Sequence, residues 1–246
     1  MTKPASGDPA PEPNDEKTRS AAPEDDAIAG RVAQKDALLE AALVHAAFDG
    51  WSRRTLLQAA SDQGVDRAAA LRLFPKGGDS LLAWLDDWTD RRMLEAADPS
   101  SLANLPVRQR IAKLIRCRLE VLEEHKEALR RAAVARGTPR NLVGGGRAFW
   151  RTLDRIWEAA GFGGAGQQRS PSYYSRRATL GAVLASTFLY WLEDVSPGHA
   201  ETWAFLDRRI ENVMRFGQLS GRLQGFLDKL PGASLMHGTR RRRAGQ

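Results

Sequence analysis

The sequence predicts an all-α fold, and two patterns carry the prediction. Leucine, alanine, arginine and glutamate recur at spacings of three and four along the chain, as they do on amphipathic helices. The alternation of polar and β-branched residues that is typical of strands is almost absent. With 246 residues and 42% hydrophobic content, the chain is long enough for one large or two small domains with a buried core.

Both ends of the chain differ in composition from its middle. Residues 1–30 are acidic and rich in Pro and Ala, residues 232–246 contain the run Arg240 to Arg243, and we expect both segments to be disordered. The first has no apolar core of a secretory signal, and its acidity disfavours a mitochondrial transit peptide. The single cysteine, Cys117, fits a reducing compartment. These observations predict a bacterial cytoplasm.

Residues 31–77 have the pattern of a helix-turn-helix module. A helix over 31–46 is followed by two short helices, for which Ser52 and Asp66 are the predicted N-caps. Gly64 is predicted to end the first of these two short helices. In a DNA-binding protein the last of these helices would present Asp66, Arg67, Ala70 and Arg72 to the major groove. The acidic residues and the alanine run in this segment weigh against DNA binding.

Residues 78–216 are predicted to form a larger helical core. The fifth predicted helix of the chain opens at Pro106 and carries a basic outer face, which we interpret as solvated: Arg108, Arg110, Lys113, Arg116 and Arg118. Within the core, residues 178–192 contain no charge and are apolar on nearly every side, which predicts a buried helix too short to cross a bilayer. Ser196 and Pro197 then begin an amphipathic helix. Small residues beside large ones on the central helix leave two interpretations open, close packing or room for an apolar guest.

Residues for catalysis are not evident. The four histidines, His45, His125, His199 and His237, form no metal-binding spacing, and no base is assignable to Cys117. We therefore expect no metal, no cofactor and no enzymatic activity.

A last helix is predicted over 218–230, within a C-terminal segment of residues 217–231. Its apolar side can pack on its own domain or lie on a membrane surface with basic residues beside it. The residues that would meet the membrane are Leu219, Arg222, Leu223, Phe226, Leu227 and Leu230.

Several motifs identify a family. Residues 31–75 resemble the N-terminal module of TetR-type regulators. The motifs LFPKGGDSLL, TLDRIWEAAG, YYSRRATLGAV and LYWLEDVSPGHAETWAFLDRRIENVM resemble the COQ-nine family of ubiquinone-biosynthesis proteins over about residues 31–216. The paired glycines of the first motif depart from the repressor pattern.

The resemblance implies a TetR-like fold, a homodimer, and binding of lipids with isoprenoid tails. Such proteins present ubiquinone intermediates to a diiron demethoxyubiquinone hydroxylase at a membrane surface, here peripherally on the inner membrane. The residues expected at the isoprenoid or phospholipid site are Leu180, Val183, Leu184, Thr187, Phe188, Trp203, Leu206, Ile210 and Met214. A TetR-type repressor with an apolar ligand pocket is the alternative.

The resemblance also implies a surface for the hydroxylase. Asp154 and Trp157 match the helix of the family that precedes this surface, and Tyr173 and Tyr174 match its aromatic pair, with Tyr173 in place of a tryptophan. The segment 161–172 is longer than usual and lacks the family's acidic group. We expect the aromatic residues of this patch to be exposed.

Overall fold

The structure is a computed structural model that describes the backbone of residues 15–162 and 171–227, and the side chains within 25–138, 144–162 and 173–213. Every regular element of these residues is helical, which confirms the predicted all-α class. The helices are α1 (Asp15–Asp49), α2 (Arg53–Asp62), α3 (Arg67–Leu73), α4 (Gly78–Ala97), α5 (Pro99–Ala103), α6 (Val107–Glu120), α7 (Lys126–Arg136), α8 (Pro139–Trp157), α9 (Pro171–Glu193) and α10 (Ala200–Leu227).

The first helix is longer than the sequence pattern predicts. It begins at Asp15 rather than at residue 31, so the expectation of a disordered segment over 1–30 is wrong for residues 15–30, while residues 1–14 lie outside the described part. Pro23 inside the segment disfavoured a helix there. Extension of an existing helix needs no new nucleus, however, and acidic residues at its start complement the helix dipole.

The helix-turn-helix forms through the predicted caps. The Ser52 hydroxyl accepts from the Thr55 amide at 3.1 Å, and the Asp66 carboxylate accepts from the Ala68 and Ala69 amides at 2.9 and 3.1 Å. Gly64 has φ +63°, the left-handed conformation that glycine adopts readily after a helix. These local interactions fix where α2 and α3 begin and where α2 ends.

The paired glycines bring α4 onto the start of α2. A Cβ at Gly78 would lie 2.3 Å from the Trp51 carbonyl oxygen, and one at Gly77, where φ is +56°, would lie 3.0 Å from the Arg53 Cα. No larger residue fits at Gly78 without a backbone shift. The feature that departs from the repressor pattern is therefore a packing requirement of this module.

The chain divides into two compact units. The first comprises the chain up to Leu85 with Glu127–Ala135, and the second comprises Asp86–Lys126 with the chain from Arg136 onward. The expected boundary at residue 78 falls before the observed one because the start of α4 packs in the first unit. The Trp84 indole donates to Asp36 at 2.8 Å, and the Trp51 indole donates to the Ala128 carbonyl at 2.9 Å, which ties in the later segment.

The C-terminal helix is not a separate element. Its backbone is one continuous helix from Ala200 to Leu227, so the expected break before residue 217 is absent. The segment between 214 and 218 contains a single glycine and no proline, and an isolated glycine does not end a helix by itself. The side chains predicted to contact a membrane lie outside the described residues, and so does Leu230 altogether.

Candidate functional site

Helix α9 has two apolar faces, and the prediction that it is buried on nearly every side is wrong for one of them. Leu180, Val183, Leu184, Thr187 and Trp191 recur at three and four and are buried in the second unit. The opposite face, with Ala182, Ala185, Leu189 and Tyr190, is exposed, and the Leu189 side chain is 59% accessible. Absence of charge indicated burial from both sides, but within one chain only one face of α9 is covered.

The residues expected to bind lipid lie along the buried face of α9 and on α10, which packs against it. Leu206 is fully buried, whereas Phe188, Trp203 and Ile210 are half-buried and the side chain of Met214 lies outside the described residues. The structure therefore brings these residues into one unit, and their role in lipid binding stays a prediction.

Close helix packing holds at the N-terminal end of this face. A Cβ at Gly181 would lie 3.1 Å from both Leu153 Cδ1 and Phe149 Cε1 of α8. The glycine lets α8 and α9 approach each other there. Of the two interpretations that the small residues left open, packing is the one observed at Gly181.

A row of aromatic rings lies at the other end of α9. The ring centroids of Phe188 and Trp191 are 6.1 Å apart, those of Trp191 and His199 6.0 Å, and those of His199 and Trp203 6.3 Å. Lys126 Nζ lies 4.6 Å from the Trp191 ring centroid, and the Arg116 guanidinium lies 4.8 Å from that of Trp203. The sequence analysis missed this row because its members lie on several elements.

The acidic-Ser-Pro turn caps α10 and holds this row in place. The Asp194 carboxylate accepts from the Ser196 amide at 2.8 Å, from the Thr202 amide at 2.9 Å and from the Thr202 hydroxyl at 2.5 Å. Burial acts to raise the pKa of Asp194, but the hydrogen bonds from Ser196 and Thr202 outweigh it and hold the pKa well below its usual range. The Lys126 ammonium donates to the Asp194 carbonyl at 3.0 Å.

The predicted partner surface is built around Arg177. Its Nε donates to Asp154 Oδ1 at 2.5 Å, and its guanidinium lies 3.5 Å from the Tyr173 ring centroid. Tyr173 also donates to Asp154 at 3.4 Å, and Tyr174 is 46% exposed beside it. Sequence reasoning did not assign Arg177 a role, although its place in the YYSRR motif was visible.

Trp157 is not an exposed member of this surface. It is 7% accessible and stacks on Phe162 with a centroid distance of 4.2 Å. The expectation that it contributes exposed aromatic area is wrong, because the turn Glu158–Phe162 folds back and covers its ring. Asp154 and Tyr173 are half-buried, which leaves Tyr174 as the prominent aromatic side chain of the described patch.

The basic residues of α6 are mostly structural rather than solvated. Arg110 donates to the carbonyls of Leu105, Ala103 and Ala160 at 2.7 to 3.2 Å. Arg118 is paired with the buried Asp90, and Arg116 lies over Trp203. Charge type alone indicated solvation, but long side chains reach carbonyls and carboxylates of neighbouring helices.

Asp90 is the centre of a buried ionic cluster. It accepts from the Thr152 hydroxyl at 3.0 Å, from Arg155 at 3.2 Å and from Arg118, and Asp87 accepts from Arg155 at 2.7 Å. Burial raises the pKa of Asp90 against the opposing effects of Arg118 and Thr152. Each charge in this cluster has a partner. The cluster is therefore explained by its role in the fold.

The described residues offer little for redox or metal chemistry. Within them no group of three or more His, Cys, Asp or Glu side chains is placed to hold a metal ion. Cys117 is a buried free thiol, and burial raises its pKa. Among the described helices, none is long and apolar enough to cross a membrane.

The third helix presents a poorer DNA-reading face than its sequence suggested. Ala70 is fully buried, so it does not face a groove, while Ala68 is exposed. The register is set by Phe74, which is buried one turn after Ala70. Arg67 and Arg72 remain exposed and suit phosphates rather than base edges.

The family model and the relatives that match this chain all carry the name COQ9. A family model described as COQ9 matches residues 144–217. A Drosophila melanogaster protein named "Ubiquinone biosynthesis protein COQ9, mitochondrial" is 28% identical over 224 residues, covering 85% of this chain and 64% of that protein. The human protein of the same name is 25% identical over 186 residues, covering 73% and 57%. The chain thus spans about 57 to 64% of the length of these relatives.

A solved structure supports the fold. A TetR transcriptional regulator from Nitrosomonas europaea superposes with a TM-score of 0.59 at 24% identity, covering 72% of this chain and 96% of that one. The predicted resemblance to the COQ-nine family and the TetR-like fold are both confirmed.

The predicted compartment is wrong. The relatives carry the word mitochondrial in their names, which conflicts with a bacterial cytoplasm and its inner membrane. The prediction depended on the acidity of residues 1–30 and on a single cysteine. Composition of one segment reports only on that segment, and a lone thiol fits more than one compartment.

Proposed function

We propose that this chain, similar to COQ9 proteins over most of its length, is a non-enzymatic lipid-binding accessory protein of ubiquinone biosynthesis. In this role it binds isoprenoid quinone intermediates and presents them to a diiron demethoxyubiquinone hydroxylase. One observation carries the proposal: the matched region, residues 144–217, coincides with α8, α9 and α10. Those helices supply the apolar wall, the aromatic row and the patch around Arg177.

The lipid site in this proposal is the buried face of α9 and the facing side of α10. Leu180, Val183 and Leu184 provide aliphatic surface, and the half-buried Phe188, Trp203 and Ile210 form its more accessible margin. Apolar walls with few polar groups suit an isoprenoid chain, whose transfer from water is driven by its hydrocarbon area.

Organic extraction of the purified chain tests this role directly. Co-purified isoprenoid quinone or phospholipid is the expected result. A clean extract, together with sequence-specific duplex binding that weakens with salt, would instead favour a TetR-type repressor.

The hydroxylase contact in this proposal uses Tyr174, oriented by its neighbours. Tyr173 meets it edge to face with a 5.1 Å centroid distance, and Arg177 and Asp154 hold Tyr173. Exposed aromatic residues often dominate interface energy. Capture of the cognate hydroxylase should fall with Tyr174→Ala and persist with Val195→Ala, which changes an exposed residue just after the other end of α9. Equal capture by both variants would place the contact elsewhere.

A homodimer in this proposal uses the exposed face of α9. The face is uncharged from Ala182 to Tyr190, and Tyr190 stacks on Phe205 of α10 with a centroid distance of 4.6 Å. The two helices thus expose an apolar surface that a second copy would cover. Leu189→Glu should shift sedimentation toward the monomer. Val195→Glu, which changes a 97% exposed valine outside this face, should not. A Leu189→Glu chain that sediments as wild type would remove α9 from the interface.

Membrane contact in this proposal uses the end of α10. The helix is 28 residues long, or about 42 Å, and its later turns carry the apolar and basic residues predicted from the sequence. Truncation after Phe216 should reduce flotation with cardiolipin-containing liposomes while the helical core still melts cooperatively. Undiminished flotation would mean that lipid is acquired through another surface.

A further inference from the structure

In the second half of α9, two polar groups on the buried face have no hydrogen-bond partner among the described residues. The Thr187 hydroxyl and the Trp191 indole N–H belong to side chains with no accessible surface, and neither finds a donor or acceptor. They are four positions apart, so they lie one helical turn from each other on the same face. A buried polar group without a partner is costly, and most such groups in folded proteins are paired.

Several other threonine and tryptophan side chains of this protein are paired. The buried hydroxyls of Thr55, Thr152 and Thr202 all form hydrogen bonds. The indoles of Trp51, Trp84 and Trp203 donate to oxygen atoms at 2.8 to 2.9 Å. Gln58 Oε1, the Trp157 indole N–H and Arg177 Nη1 also have no partner among the described residues. Thr187 and Trp191 differ from these because they lie one helical turn apart on the apolar face of α9.

The surroundings of the pair indicate what would satisfy it. The Trp191 ring is the fully buried member of the aromatic row, which continues through His199 to the half-buried Trp203. An indole N–H only donates, and a hydroxyl also can donate, so the complementary group is an oxygen acceptor. Flat aromatic neighbours favour a planar ring, and the cations near Trp191 and Trp203 favour electronegative atoms.

The geometry points to Thr187 and Trp191 as the hydrogen-bond donors to the quinone ring of the bound lipid. This inference rests on the proposed function and extends it by locating the polar end of the ligand. A quinone ring is planar and carries carbonyl oxygens that accept. Its isoprenoid chain would then run along Leu184, Val183 and Leu180 toward the closely packed end at Gly181.

Substitution of Thr187 by valine tests the assignment because two readouts should move in opposite directions. Valine keeps the shape and removes the hydroxyl. In delipidated full-length protein, the melting temperature should stay equal or rise, since an unpaired buried hydroxyl is lost. Affinity for a short-chain ubiquinone with two isoprene units should fall about fivefold, the equivalent of one hydrogen bond. Affinity for an isoprenoid hydrocarbon of the same length without oxygen should not change.

Thr179→Val is the matched control on the same helix. Its hydroxyl already donates to the Ser175 carbonyl at 2.8 Å, so this variant should bind the quinone as wild type does. Trp191→Phe removes the indole N–H and provides a second test, with the same selective loss expected for the quinone. Equal affinity of wild type and Thr187→Val for the quinone would overturn the assignment while leaving the proposed function intact. A wild-type chain that binds neither quinone nor hydrocarbon would overturn both.

Discussion

The Asp90 cluster and the Thr187 and Trp191 pair are two buried polar regions of the same unit, and they are built in opposite ways. Around Asp90, arginines and a threonine hydroxyl from α6 and α8 satisfy each buried charge. In the second half of α9, the Thr187 hydroxyl and the Trp191 indole N–H are left without a partner among the described residues. A satisfied cluster explains its own presence through stability. An unsatisfied pair lowers stability in the isolated chain, which is why we assign it to ligand binding.

The largest expected effect is at Asp90. Asp90→Ala leaves Arg118 and Arg155 without their buried carboxylate, and such a loss costs about 3 to 5 kcal/mol. Urea denaturation should show the decrease in the free energy of unfolding. Glu95→Ala is the control, since its 3.5 Å pair with Arg92 is exposed and is worth at most about 1 kcal/mol. Similar losses from both variants would contradict a structural role for the cluster.

The two buried threonines should respond differently to the same substitution. Thr152→Val removes a hydroxyl that donates to Asp90 and should cost about 1 to 3 kcal/mol. Thr187→Val should cost nothing in the lipid-free chain. Thermal melts of both variants in parallel give the comparison, and equal destabilisation would show that the Thr187 hydroxyl has a partner after all.

The two buried carboxylates should give opposite pH dependences. Because the pKa of Asp194 is lowered on folding, its stabilisation is present at neutral pH and is lost as pH falls below about 3.9. Because the pKa of Asp90 is raised, it makes stability fall as pH rises above about 3.9. Asp194→Asn should therefore flatten the acid side of the stability profile, since it removes the titrating group and keeps a side-chain oxygen that accepts hydrogen bonds. An unchanged acid limb would exclude Asp194 as its source.

Much of the fold was predictable because it depends on local chemistry. Ser52, Asp66 and Gly64 act on neighbours within a few residues, so their roles follow from sequence. The covered face of α9 follows from periodicity as well.

The ion pairs and the burial that could not be predicted from the sequence depend on contacts between residues far apart in the chain. Arg118 and Asp90 are 28 positions apart, and Arg177 and Asp154 are 23 apart. The burial of Trp157 depends on how the following turn folds back over it. That Thr187 lacks a partner is a property of its surroundings, and no feature of the residue itself predicts it.

The lipid wall on α9 is the central claim, and one pair of variants tests it most directly. Leu184→Trp adds bulk to the buried face, whereas Leu189→Trp adds the same group to the exposed face of the same helix. Quantitative mass spectrometry of lipid extracted from each purified, cooperatively melting protein gives the amount bound per chain. We expect a large loss of isoprenoid quinone from Leu184→Trp and wild-type content in Leu189→Trp. A folded Leu184→Trp chain with full lipid content would show that this face is ordinary core and that the account is wrong.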